Sequence, residues 1–153
     1  MHTALTWFLR LFFAAVLVVS SVGKLLDNRG FAQVIGTYQL GIPERALLPL
    51  ALIFSLGELA LGVAVLCGIQ LRQMSAATIA LHVFYLTLAS ATLLRGLQLA
   101  NCGCFGVFWV RPLDGVTVVE DVVLTLLSVG FWLCVRREPA SRSLRSAQFE
   151  RVG

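Results

Sequence analysis

The sequence predicts an all-α integral membrane protein: a four-helix bundle with a short amphipathic interfacial helix in its first outer loop. Three observations carry that prediction. Of 153 residues, 58% are hydrophobic and only 13% are charged, with a mean hydropathy of +0.87; soluble domains run about 45–50% apolar and about 25% charged. Four apolar runs reach the roughly 20 residues needed to cross a bilayer. The cations collect at the ends of those runs and in the tail. Backbone amides in lipid must be satisfied within the segment, so each run is a helix. The length fits one membrane domain over residues 1–138, followed by a basic tail over 139–153. The net charge of +4 follows from that topology and gives no argument for nucleic-acid binding.

The spans are placed at about residues 5–26, 47–67, 75–94 and 118–135. The first is read as a span rather than a cleaved signal peptide, because it lacks an early Lys or Arg and Arg10 interrupts its front. Between the first two spans, Phe31, Val34, Ile35 and Tyr38 recur at helical spacing. Asp27 or Asn28 is placed to cap that short helix, with Gly41 and Pro43 to stop it. In the second span, Gly57 with Ala60 and Ala64 offers a small-residue face for close helix packing. The fourth opens with Thr117-Val118-Val119-Glu120, a capping-box pattern with Thr117 as cap and Glu120 reaching back. Trp7, Tyr38, Trp109 and Trp132 lie near span ends and read as interfacial belt residues.

Loop charge sets the orientation. The tail carries Arg136, Arg137, Arg142, Arg145 and Arg151 against Glu138 and Glu150, an excess that reads as cytoplasmic. Four spans put both termini on that side of a bacterial inner membrane. The loops at about 23–46 and 95–117 are then periplasmic, where disulfides persist.

The second of those loops contains Asn101-Cys102-Gly103-Cys104-Phe105-Gly106. Thiol–disulfide exchange needs an accessible thiolate and a second sulfur to resolve the mixed disulfide. Cys102 and Cys104 supply both, Gly103 permits the turn, and Arg95 and Arg111 flank the loop as candidates to lower a thiol pKa. A structural clip closing so short a loop removes little chain entropy, and strained disulfides are the labile, oxidising ones. Cys102 and Cys104 are therefore the candidate catalytic pair, with Asp121 or Glu120 managing protons. Cys67 and Cys134 fall at the opposite ends of their spans, as inert core cysteines or as an inner pair for a transmembrane relay. No haem, zinc, phosphate-loop or nucleophile-elbow motif is present, and no metal site is predicted.

Three polar residues fall within or beside the apolar runs. Glu58 sits near the middle of the second span, where a charge costs roughly 2.5–3.5 kcal/mol on insertion scales. His82 lies mid-span in the third, placed to pair with Glu58, relay protons or meet a quinone headgroup. Lys24, the only lysine of the chain, either snorkels from the end of the first span or pairs with Glu58.

Taken together, these residues resemble the MauE/DoxX family of small four-span membrane proteins. The resemblance runs from about residue 10 to 135. It rests on Gly23-Lys24-Leu25, Phe31, Tyr38, Pro43, Glu58, Gly62, Asp121 and above all Cys102-Gly103-Cys104-Phe105-Gly106, which favours the MauE branch. It implies a role in methylamine utilisation or a related pathway, in maturing a periplasmic, disulfide-rich dehydrogenase subunit. DoxX-like relatives imply quinone-coupled sulfur oxidation, and membrane redox proteins of the vitamin K epoxide reductase type share the architecture. This chain lacks their Cys-x-x-Cys pair, so a separate thioredoxin-like or disulfide-containing periplasmic protein is the expected partner. Two alternatives stand beside the thiol–disulfide role: a quinone-linked oxidoreductase subunit, with quinone as its cofactor, and a non-catalytic assembly or anchor subunit.

Overall fold

The computed structural model describes residues 2–137, with side chains from residue 4 onward. The tail at 139–153 lies outside the described residues. Among the described residues, five α-helices follow in chain order: α1 (His2–Leu26), α2 (Asn28–Thr37), α3 (Glu44–Cys67), α4 (Leu71–Leu94) and α5 (Gly115–Arg137). A 3-10 turn covers Gly106–Phe108. Four of the helices, α1, α3, α4 and α5, are long and apolar enough to cross a membrane, and there is no strand among the described residues. The predicted all-α membrane bundle is the fold. Each span is longer than its apolar run, because polar first and last turns continue the helix beyond the lipid-compatible core.

The bundle is apolar outside and polar within. In α3 the buried stripe is Ala51, Ser55, Glu58, Gly62 and Val65, and in α4 it is Ser75, Thr78, His82, Ala89 and Thr92. Both follow the three- and four-residue steps of one helix face. Small and hydroxyl residues let membrane helices approach closely. Their hydroxyls return to the preceding turn, as in Ser55 to the Ala51 carbonyl (2.8 Å) and Thr78 to the Met74 carbonyl (2.9 Å). Large residues such as Ile53, Phe84 and Leu126 point outward.

The closest packing joins α1 to α3 and α4 to α5; α3 and α4 meet more loosely. Gly62 makes the α1–α3 approach possible, since a Cβ there would lie 3.0 Å from Leu17 Cβ. Gly57 meets nothing within 4 Å and Ala60 is exposed, so the small-residue face expected at Gly57, Ala60 and Ala64 is displaced to Gly62. At the end holding the α3 C-terminus, Leu9, Phe13, Ala14, Val65 and Phe131 form one core. Arg10 also lies there and donates to the carbonyls of Val65 (2.9 Å) and Leu66 (2.6 Å), satisfying helix-end acceptors. At the other end, Tyr38, Ala89, Leu99, Cys102 and Leu113 form a second core.

Asp27 caps α2 by accepting from the Gly30 amide at 2.8 Å. The cap of α5 is Asp114, whose Oδ1 accepts from the Thr117 amide at 3.0 Å. The capping box expected at Thr117 and Glu120 is therefore corrected: the helix begins three residues earlier, and Glu120 pairs with Arg111. Both Asp114 and Thr117 are good capping types, and the polar residue nearer the loop takes the position.

Candidate functional site

The loop between α4 and α5 is held from three sides. Its own backbone closes on itself, with Cys102 N donating to Arg111 O (2.9 Å) and Leu113 N to Leu99 O (3.0 Å). From α2, the Tyr38 hydroxyl donates to Cys102 O at 2.7 Å. From α1, the Ser20 hydroxyl donates to Cys104 O at 2.6 Å. Tyr38 is 6% exposed, so it is a loop anchor and not the interfacial belt residue expected. Burial, followed by the neighbouring Cys104 and Cys102 charges, pushes the Tyr38 pKa up and keeps its hydroxyl a donor.

Two glycine contacts set the turn. Gly103 has φ +74°, and a Cβ there would lie 2.8 Å from Val34 Cγ1. Gly106, at φ +55°, lies so close to the Gly23 backbone that a Cβ on either residue would collide with the other's segment. The loop therefore rests directly on the end of α1.

Cys102 and Cys104 are both free thiols. Cys102 is buried at 4% exposure and Cys104 is half-buried. The Cys104 thiol donates to the Cys102 carbonyl at 4.0 Å. The Cys104 side chain beside it, with help from the Cys104 backbone and the Arg111 guanidinium, pulls the Cys102 pKa from 9.0 down to about 6 against its burial. The same side-chain contact, then burial, pushes Cys104 up. The surroundings of the pair therefore favour the thiolate at Cys102 over the thiolate at Cys104. Arg111 is fixed by a two-pronged ion pair with Glu120. Arg95 instead donates to the Tyr38 and Gln39 carbonyls (3.0 and 3.2 Å) and ties α4 to the α2–α3 loop.

Below the loop lies a buried charge network. Lys24 Nζ is 2.6 Å from Glu58 Oε2 and 2.7 Å from the Tyr85 hydroxyl. Ser20 and Tyr85 both donate to Glu58 Oε1 (3.0 and 3.1 Å). Lys24 is 0% exposed and also faces the Phe31, Phe54 and Tyr85 rings at 4.9–5.7 Å. The structure therefore gives Lys24 the ion pair and not the snorkelling position. His82 is not part of that pair; its Nδ1 lies 2.7 Å from Thr78 O and its ring packs edge-on to Phe13. Ser20 and Tyr85 join the network unannounced by the sequence. Their only signal is position: Ser20 is one helical turn before Lys24, and Tyr85 one step beyond His82 on the buried face.

Asp121 reaches the same place from α5. It is 7% exposed, and its Oδ2 has no hydrogen-bond partner among the described residues. A cavity of about 30 Å³, room for one water molecule, lies between Ser20, Glu58, His82, Cys104 and Asp121. A larger, almost wholly apolar cavity of about 300 Å³ opens on the other side of the cysteines. Cys67 and Cys134 lie at the opposite end of the bundle, exposed and half-buried respectively, with the Phe13–Phe131 core between them and the loop. The arrangement brings two free thiols, an unpartnered carboxylate oxygen and a buried ion pair together at one end of the bundle.

The residues that meet here are the scattered ones on which the family resemblance rests: Gly23, Lys24, Phe31, Tyr38, Glu58, Cys102–Gly106 and Asp121. Residues 2–134 match the family model described as "Methylamine utilisation protein MauE". The chain is 27% identical over 123 residues to the methylamine utilization protein MauE of Paracoccus denitrificans, covering 80% of this chain and 66% of that relative. It thus spans just under two thirds of the relative's length. No solved structure matches. With a family match over nearly its whole length and four helices able to cross a membrane, the chain is a multi-pass membrane protein that belongs to the MauE family.

Proposed function

We propose that this chain is a membrane thiol–disulfide redox protein that supports maturation of a periplasmic, disulfide-containing partner, in the methylamine-utilisation setting named for its relative. The observation that carries the reading is the placement of two free cysteines two residues apart in one loop, with Cys104 and the unpartnered Asp121 lining the same small cavity. Their surroundings differ: Cys104 and Arg111 lower the Cys102 pKa, while the hydrogen bond to Cys102 and burial raise that of Cys104. A thiolate attacks or leaves, and its neighbouring thiol resolves the mixed disulfide. When Cys104 gives up its proton, the unpartnered Oδ2 of Asp121 is the nearby acceptor. Glu58, Lys24 and Tyr85 act at one remove, holding the α1 turn that carries Ser20 and hence the Cys104 backbone.

The proposed setting is a bacterial inner membrane with both termini cytoplasmic and the cysteine loop periplasmic. Arg72, Arg136 and Arg137 stand at the bundle end opposite that loop, as expected of the cytoplasmic side. The partner is a thioredoxin-like or disulfide-containing protein.

The test is complementation of a methylamine-growing bacterium deleted for its own copy. Cys102→Ser and Cys104→Ser should each abolish growth on methylamine while the protein still accumulates in the membrane. Full growth with both cysteines replaced would assign the chain to the assembly-subunit class instead.

A further inference from the structure

Cys102 and Cys104 flank a single residue, so an S–S bond between them would close a ring whose backbone is the Cys102–Gly103–Cys104 segment alone. Such a bond needs the two Cβ atoms about 3.8 Å apart and a narrow range of torsions. The two peptide units within the segment must turn to supply them. The structure holds both units while the sulfurs are free. The Cys102 carbonyl accepts from the Tyr38 hydroxyl at 2.7 Å, and the amide of the same peptide unit, Gly103 N, donates to Asn101 Oδ1 at 2.9 Å. The carbonyl of the next unit, Gly103 O, accepts from the Gly106 amide at 3.4 Å. Gly103 itself sits at φ +74° against Val34 of α2. The Cys104 thiol is also directed at the Cys102 carbonyl (4.0 Å), so that oxygen gathers two donors while the pair is reduced.

Tyr38 has little freedom to follow a peptide that turns. It is the residue that ends α2, the Arg95 guanidinium holds its carbonyl at 3.0 Å, and it is buried in one core with Ala89, Leu99 and Leu113. A hydroxyl presented from so fixed a side chain bonds the Cys102 carbonyl in one state of the loop and loses it in the other.

We propose that Tyr38 and Asn101 are positioning residues that hold the Cys102–Gly103 peptide in its dithiol geometry and so favour the reduced pair over the disulfide. This inference rests on the redox reading of the pair and adds which residues set its equilibrium. A disulfide formed against this clamp is a stronger oxidant of a partner dithiol than an unclamped one. Written with thiols, exchange with a reagent disulfide moves two electrons and two protons. One S–S bond forms between Cys102 and Cys104, and the reagent S–S bond breaks to give two reagent thiols. In the reverse direction the clamp re-forms as the loop is reduced, which helps drive oxidation of the dithiol that reduces it.

The experiment uses the full chain carrying Cys67→Ala and Cys134→Ala in detergent. It is equilibrated in glutathione redox buffers from both the reduced and the oxidised side, acid-quenched, and read by maleimide gel shift in SDS. Tyr38→Phe keeps the ring and removes the donor. It should shift the equilibrium about fivefold toward the disulfide, a potential about 20 mV lower. Asn101→Ala should shift it in the same direction, and serves alone if Tyr38→Phe does not fold. Thr37→Val, which loses a hydroxyl bonded within α2, should leave it unchanged. Tyr38→Phe should also lower the thermal midpoint of the reduced chain more than that of the oxidised chain, whereas a purely structural role lowers both alike. An unchanged potential in Tyr38→Phe and Asn101→Ala, or a shift toward the dithiol, overturns the proposal and leaves the redox reading standing. A native pair with no reversible transition in any buffer overturns both.

Discussion

Cys102 and Cys104 differ by one backbone step, yet their surroundings separate them into donor and acceptor of one proton. Cys102 gains from Cys104 and from the Arg111 guanidinium; Cys104, having donated, is left in a buried site where a second negative charge is unfavourable. The alkylation rate of Cys102 should accordingly stay high as pH falls from 8 and halve near pH 6, where the thiolate is reprotonated. Arg111→Gln should move that midpoint upward by about one unit, which rate profiles with a neutral alkylating agent would read directly. Cys104→Ala removes the main donor and should move it in the same direction. Arg111 was marked in the sequence as a flanking cation, but its hold on the thiolate depends on Glu120, nine residues on, fixing the guanidinium. That contact was hidden because a capping-box pattern offered Glu120 a different partner.

Helices fix what the residues can reach. Lys24 near the end of α1 and Glu58 in the middle of α3 are 34 residues apart, and only the α1–α3 approach at Gly62 puts their charges 2.6 Å apart. Removing one member leaves an uncompensated buried charge. Lys24→Met or Glu58→Leu alone should cost about 3–5 kcal/mol, while the double replacement should recover most of it; thermal unfolding in detergent checks both. Because Ser20 bonds Glu58 and the Cys104 carbonyl, the single variants should also expose the cysteines to faster alkylation. At the far end, Arg10→Leu deprives the last α3 carbonyls of two charged donors and should cost about 1.5–3 kcal/mol, measured the same way. Gly106→Ala should do more harm to the loop than its φ alone implies, since the added Cβ meets the α1 backbone at Gly23. The expected sign is rapid, unprotected alkylation of both cysteines with the helix content unchanged.

The described residues form a bundle with an aromatic core at one end and the cysteine loop, Asp121 and the Lys24–Glu58 pair at the other. Much of this was legible in the sequence: four apolar runs of spanning length, the short helix with Phe31 and Tyr38 on one face, and the two cysteines between spans. Periodicity and length report local physics, and these elements are local. What stayed hidden was whatever depends on which faces meet. Tyr38 read as an interfacial aromatic because Tyr at a span end usually is one, yet here it is tucked under the loop to hold Cys102. Arg10 read as an interruption of an apolar run and is the cap of a different helix. Ser20 offered only its position one turn before Lys24, since a hydroxyl in a membrane helix normally bonds its own preceding turn. Lys24 was open between snorkelling and pairing, and three-dimensional proximity to Glu58 decides it.

The claim that Cys102 and Cys104 cycle between dithiol and disulfide is tested most directly in cells. Acid-quenched cells carrying a Cys67→Ala, Cys134→Ala chain are dissolved in SDS, which exposes the buried sulfurs, and treated with a maleimide of high mass before and after reduction, and the gel shift is read. The account expects two added labels that appear only after reduction. Two thiols labelled in full without reduction, and unchanged by a thiol oxidant, would contradict it.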